Sequence, residues 1–96
     1  MAVGMLQELQ GVSADQYDQV SAKMGVDESP PEGLIFHTAG EMEGGMRIFD
    51  VWESSEALER FTNERLMPAV EEVLGGGDRP PENVPLVYQL HNFIRP

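Results

Sequence analysis

Along the chain the apolar positions switch between a spacing of two and a spacing of three to four, and each switch marks an element. In residues 1–10, Val3, Met5, Gln7 and Leu9 fall on one side while Leu6 and Glu8 fall on the other, which predicts a strand. A helix start follows. Ser13 is placed as an N-cap, Gln16 three residues on as its capping-box partner, and Val12 with Tyr17 as a hydrophobic staple. Tyr17, Val20 and Met24 continue one helical face, and Gly25 is a natural terminator. Residues 26–33 read as loop. Leu34–Ala39 and Arg47–Trp52 are β-branched and aromatic runs on either side of a Gly44-Gly45 pair, which predicts a hairpin. Ser54 or Ser55 then caps a long helix carrying Ala57, Leu58, Phe61, Leu66, Ala69, Val70, Val73 and Leu74. Pro68 lies inside it, so a break near Leu66-Met67 is expected. Gly75-Gly76-Gly77 ends the helix, residues 78–85 form a loop, and Leu86–Ile94 is the last strand.

The order is β-α-β-β-α-β, the ferredoxin-like α+β arrangement: a four-stranded antiparallel sheet with two helices on one face, as one domain over residues 1–96. Pro30-Pro31-Glu32 recurs as Pro80-Pro81-Glu82, each time between a helix-like and a strand-like segment, so the two halves echo one another. The strands are apolar on both sides, with Phe36 beside Ile35, Phe49 beside Ile48, and Leu90 with Val87 and Phe93. Helices cover one face of such a sheet. The other face calls for a second subunit's sheet, because a wet face would be polar.

Composition sharpens this. Six Lys+Arg against 17 Asp+Glu leave a net charge of −11, which disfavours nucleic acid and anionic membrane surfaces as partners. At 41% apolar residues the chain is too hydrophobic for an acidic disordered tail. A domain of 96 residues buries only roughly 60–65% of its unfolded surface, which again favours a homodimer. The sequence contains no cysteine, so disulfides, thiolate metal sites and a cysteine nucleophile are excluded, and a cytoplasmic location is expected. No signal peptide or transmembrane run is read. Glu53, Glu56, Glu59, Glu64, Glu71 and Glu72 read as the solvated face of the second helix.

The run Phe49-Asp50-Val51-Trp52-Glu53-Ser54-Ser55-Glu56-Ala57-Leu58-Glu59-Arg60-Phe61, followed by Pro68-Ala69, resembles the dimeric α+β barrel superfamily, which includes the antibiotic-biosynthesis-monooxygenase-like proteins. The shared pattern is an acidic-x-aromatic strand end running into a Ser-capped helix. What the resemblance implies is a dimeric α+β barrel and a small monooxygenase-like protein, acting without metal or other cofactor on a hydrophobic, aromatic small molecule. The superfamily also holds haem-degrading, isomerase-like and ligand-binding members, and fold alone does not choose among them. One departure matters: many enzymatic members carry a His at about the position of Phe61, and a Phe cannot serve as a haem ligand.

His37, Asp50 and Trp52 form the candidate constellation. A two-residue hairpin loop makes paired positions sum to an odd number and puts all three on one face. Glu43-Gly44 at the tip sets His37 opposite Asp50; Gly44-Gly45 sets it opposite Trp52; a three-residue loop moves His37 to the other face. A carboxylate orienting an imidazole makes a general base near neutral pH, and an indole is a flat wall for an aromatic ring. His37 and Asp50 are therefore assigned the proton chemistry, with Trp52, Phe36 and Tyr88 lining the pocket. Arg47 and His91 are further binding candidates. Arg47 would hold an anionic substrate or a neighbouring acidic residue, and His91 sits in a polar cluster with Tyr88 and Asn92. A metal held by both histidines with Asp50 or Glu41 has no motif spacing behind it. Tyr17 reads as the staple, or as a phenol at the helix-sheet seam. The Gly-rich run before Asp78-Arg79 lacks the context of a phosphate loop and reads as a lid or linker. The alternative to an enzyme is a non-catalytic binding or dimerisation module in which these polar residues are structural.

Overall fold

Ser13 initiates the first helix as the sequence anticipates. In the computed structural model, which describes residues 2–74 and 85–94, its hydroxyl accepts from the Gln16 N–H at 3.1 Å while the Gln16 side chain accepts from the Ser13 N–H at 2.9 Å. The elements are β1 (Val3–Gln10), α1 (Ala14–Met24), β2 (Leu34–Met42), β3 (Gly45–Trp52), α2 (Ser55–Phe61), α3 (Met67–Leu74) and β4 (Leu86–Gln89). Gly25 ends α1 in the left-handed conformation, φ +67°, which a residue with a Cβ adopts only at a cost. The expected Gly75–Gly77 terminator, the loop to residue 84 and the second Pro-Pro-Glu lie outside the described residues.

The strands form one antiparallel sheet in the order β2-β3-β1-β4, the ferredoxin-like topology. Alternation divides it cleanly. Val3, Met5 and Gln7 of β1 and Met46, Ile48, Asp50 and Trp52 of β3 are all buried on the helix side. There Trp52, Val3 and Ala57 make a core cluster, with Leu34, Leu58 and Phe61 packed against it. Gly33 lets α2 come this close: its φ is +89°, and a Cβ there would lie 2.5 Å from the Ala57 Cβ. The opposite face carries Leu6, Phe36, Phe49, Val51, Leu86 and Tyr88, together with an ion pair between Arg47 and Glu8. Phe36, Leu86 and Tyr88 are exposed on that face, so its apolar character, anticipated from the sequence, is uncovered in a single chain.

The structure differs from expectation in two elements. The break at Pro68 takes the form of a π-helical turn, Thr62–Leu66, between α2 and α3. Proline offers no N–H and its ring crowds the carbonyl four residues back, so the chain widens, and the Met67 N–H reaches Thr62 O instead. The last strand is shorter than predicted, Leu86–Gln89 rather than Leu86–Ile94. Its ladder follows β1, and the pairing ends where β1 does: Gln89 lies opposite Val3, and Leu90 N–H bonds to Ala2 O at 3.0 Å. Arg65 ties the helical layer together by donating to Met24 O at the end of α1, 2.6 Å away. Among the described residues no helix is long and apolar enough to cross a membrane.

Candidate functional site

The hairpin closes with Glu43-Gly44 at its tip, Met42 opposite Gly45, so His37 faces Asp50 directly. Gly44, φ +84°, provides the left-handed residue of the turn. A second device sits at the start of β2. The register slips by one residue between Leu34 and Phe36, so Leu34 pairs with Trp52 and Phe36 with Val51. This bulge at Ile35 puts both Leu34 and His37 on the helix side, which strict alternation through an odd separation would forbid.

From that register four side chains join in one chain of hydrogen bonds. Asp50, 4% exposed, accepts from the His37 Nδ1–H on Oδ1 at 2.5 Å and from the Trp52 Nε1–H on Oδ2 at 3.3 Å. The carboxylate therefore fixes the imidazole tautomer, leaving the lone pair of neutral His37 on Nε2. Tyr17, on the inward side of α1, donates its hydroxyl to that Nε2 at 2.5 Å. The order is Trp52–Asp50–His37–Tyr17, buried at the indole end and reaching the surface at the imidazole, whose side chain is 36% exposed.

The electrostatics follow from this geometry. The hydrogen bond from Asp50 raises the His37 pKa above its ordinary value, the carboxylate's charge adds to that, and partial burial opposes it. Burial is the main reason that the Tyr17 pKa is raised, with the negative charges of Asp50, Asp18 and Asp27 acting in the same direction against a hydrogen bond with Ser21. Tyr17 is thus held as a neutral phenol beside a base.

The other sequence candidates are placed elsewhere. Phe36, Arg47 and Tyr88 project from the opposite sheet face and do not meet His37 and Asp50. Phe36 packs on Phe49 with ring centroids 6.1 Å apart, and Arg47 is occupied by Glu8 at 2.6 Å. The reason is parity, since each lies an odd number of residues from a helix-side neighbour on its own strand. His91 follows β4 at the sheet edge away from β2, so the two histidines stand at opposite edges. Phe61 stacks obliquely on Trp52 at 5.2 Å, a core position. Tyr17, read from the sequence as the staple or as a phenol at the helix-sheet seam and given no part in the constellation, joins it through His37. Its signal was present, because it is the first apolar residue on the inward face of α1. Gln7, 6% exposed on β1, is a second buried polar residue of this layer. Two open surface depressions lie elsewhere among the described residues, one at the hairpin tip beside Val12 and Met42 and one along Thr38–Glu41 with Arg47.

No family model and no curated protein matches the sequence. Solved structures do. Rv0793 from Mycobacterium tuberculosis superposes with a TM-score of 0.70 at 15% identity, over 99% of this chain and 100% of that one. The chain has the fold of the dimeric α+β barrel proteins. A candidate antibiotic biosynthesis monooxygenase from Chloroflexus aurantiacus J-10-fl matches at TM-score 0.62 and 15% identity, covering 99% of this chain and 100% of that one. SnoaB, a cofactor-independent oxygenase from Streptomyces nogalater, matches at 0.60 and 10% identity, covering 97% and 95% respectively. At these identities the likeness is one of fold, and the chemistry of this chain is argued from its own residues.

Proposed function

We propose that this chain is a small monooxygenase-like enzyme that deprotonates a hydrophobic aromatic small molecule, a phenol or enol, for reaction with dioxygen without a cofactor. One observation carries the reading: a buried carboxylate holds an imidazole whose second nitrogen faces a neutral phenol. Asp50 orients His37 and supports its protonated form, and Nε2 is the base. Because Tyr17 already occupies Nε2, the substrate proton passes to the Tyr17 oxygen as the tyrosine's own proton moves to His37. Trp52 contributes from below, its N–H holding the second carboxylate oxygen. The cofactor-independent oxygenase among the structural neighbours supports the choice of reaction.

A second reading, a non-catalytic small-molecule-binding or dimerisation module, is favoured by one feature: both imidazole nitrogens are bonded within the chain. Oxygen uptake with a panel of phenols, naphthols and related enols separates the two. The enzyme reading expects uptake that falls by about 100-fold or more in His37→Ala, the lower range for a positioned base. Binding without uptake establishes the module instead, and uptake unchanged in His37→Ala removes His37 as the base.

We further propose that a second copy covers the face bearing Phe36, Leu86 and Tyr88, giving a homodimeric barrel in the cytoplasm. The exposed apolar side chains of Phe36, Leu86 and Tyr88 on one sheet face and the dimeric state of a ferredoxin-like neighbour from Jannaschia sp. CCS1 support this. Sedimentation at micromolar concentration is expected to give twice the chain mass, and Leu86→Glu to shift it toward monomer. A single species of monomer mass in the unmutated protein removes the claim.

A further inference from the structure

The same hydrogen-bonded chain has a second chemical property, independent of any general-base reaction. An oxidisable ring stands at each end, the Tyr17 phenol and the Trp52 indole, and the groups between them take up protons. We propose that Tyr17 is a redox-active tyrosine: it gives up one electron to an organic aryloxyl radical while its hydroxyl proton moves to His37 Nε2. The step balances. The aryloxyl radical becomes an aryloxide anion, the Tyr17 O–H bond breaks to leave a neutral phenoxyl radical, and His37 becomes an imidazolium held by Asp50.

The geometry removes the usual obstacle to this chemistry. A phenol that loses an electron without a base becomes a strongly acidic cation, an expensive intermediate in a partly buried site. Here the acceptor nitrogen is 2.5 Å away, so electron and proton leave together and the positive charge forms on a ring already bonded to a carboxylate. The phenol is also kept protonated by burial, so the proton is there to be transferred. Tyr17 is half-buried rather than sealed, which leaves it reachable by a small aromatic radical. In an oxygenase of phenols such a residue would quench stray substrate radicals.

The chain has two tyrosines, so Tyr88→Phe makes Tyr17 the sole phenol. Flash oxidation of that variant by a photogenerated ruthenium polypyridyl oxidant is expected to produce the phenoxyl absorption and EPR signals, with formation slowed in D2O. Adding His37→Gln is expected to slow formation by about tenfold or more, as a positioned base is lost. Tyr17→Phe, with Tyr88 restored, gives the comparison rate of an exposed phenol. Formation in Tyr88→Phe that is no faster than this comparison, or that shows no solvent isotope effect, overturns the proposal; the isotope measurement needs no change to His37. Failure here leaves the oxygen-uptake result untouched, since proton abstraction requires no radical.

Discussion

Trp52→Ala lowers the unfolding free energy by about 3–5 kcal/mol, the range for truncating a large buried aromatic. Trp52 is 1% exposed, at the centre of the cluster with Val3 and Ala57, and its ring meets Phe61 at 5.2 Å. Truncation empties the volume between sheet and α2 and also strips Asp50 Oδ2 of its donor, so a cavity and an under-satisfied buried carboxylate are created together. For a domain of 96 residues, whose total stability is on the order of 5–14 kcal/mol, this is at least about a fifth of what holds it folded. Urea unfolding followed by far-UV circular dichroism checks it, since the variant has lost the chain's one tryptophan fluorophore. Trp52→Phe separates the contributions, because it keeps the ring packing and removes the N–H. A loss below about 1 kcal/mol for Trp52→Ala, within reach of an ordinary surface change, shows that the cluster is not the core.

Asp50→Asn reduces turnover by about 100- to 10,000-fold, the range of a lost positioned base. The carboxylate accepts two N–H groups, one on each oxygen. An asparagine has one oxygen. If that oxygen keeps the buried Trp52 N–H, its amide must donate to His37 Nδ1, and the imidazole then carries its proton on Nε2, facing Tyr17. The base is filled before any substrate arrives. The pH profile gives a second readout. In the proposed reaction turnover needs neutral His37, so activity is expected to rise with pH through a His37 pKa that Asp50 holds above its ordinary value of about 6.5. Residual activity in Asp50→Asn is expected to have its acid limb at lower pH. Stability carries the opposite sign. A raised histidine pKa contributes stability below about pH 6.5 that is lost as pH rises through the folded value, and Asp50→Asn removes that slope. Asp50→Asn protein with full turnover and an unmoved limb would mean that the carboxylate does not set the base.

Much of this was legible along the chain because it depends on neighbours in sequence. Ser13 with Gln16, Gly25 and Ser54 act within one turn of their own helices, so their roles as caps follow from residue type and spacing. The order of elements, the inward side of β1 and the apolar second face of the sheet follow likewise from periods of two and three to four. Pro68 announced a break, although only the backbone shows that the break is a π turn.

What needed tertiary structure was parity and reach. Whether His37 meets Asp50 depends on the tip residues of the hairpin, a single extra residue at Ile35 then returns Leu34 to the same side, and local propensity is nearly indifferent between such registers. That register sets His37 on the helix side with Asp50 and Trp52, while alternation along their own strands sends Phe36, Arg47 and Tyr88 to the other, dividing a candidate pocket that the sequence had joined. Tyr17 illustrates reach. It is 20 residues from His37 in the chain, on a helix whose local signals concern only its own capping and packing. Residue types therefore specify which elements form and which side each residue takes within its element. The packing of α1 over a hairpin of one particular register decides that four of those residues become a single hydrogen-bonded chain.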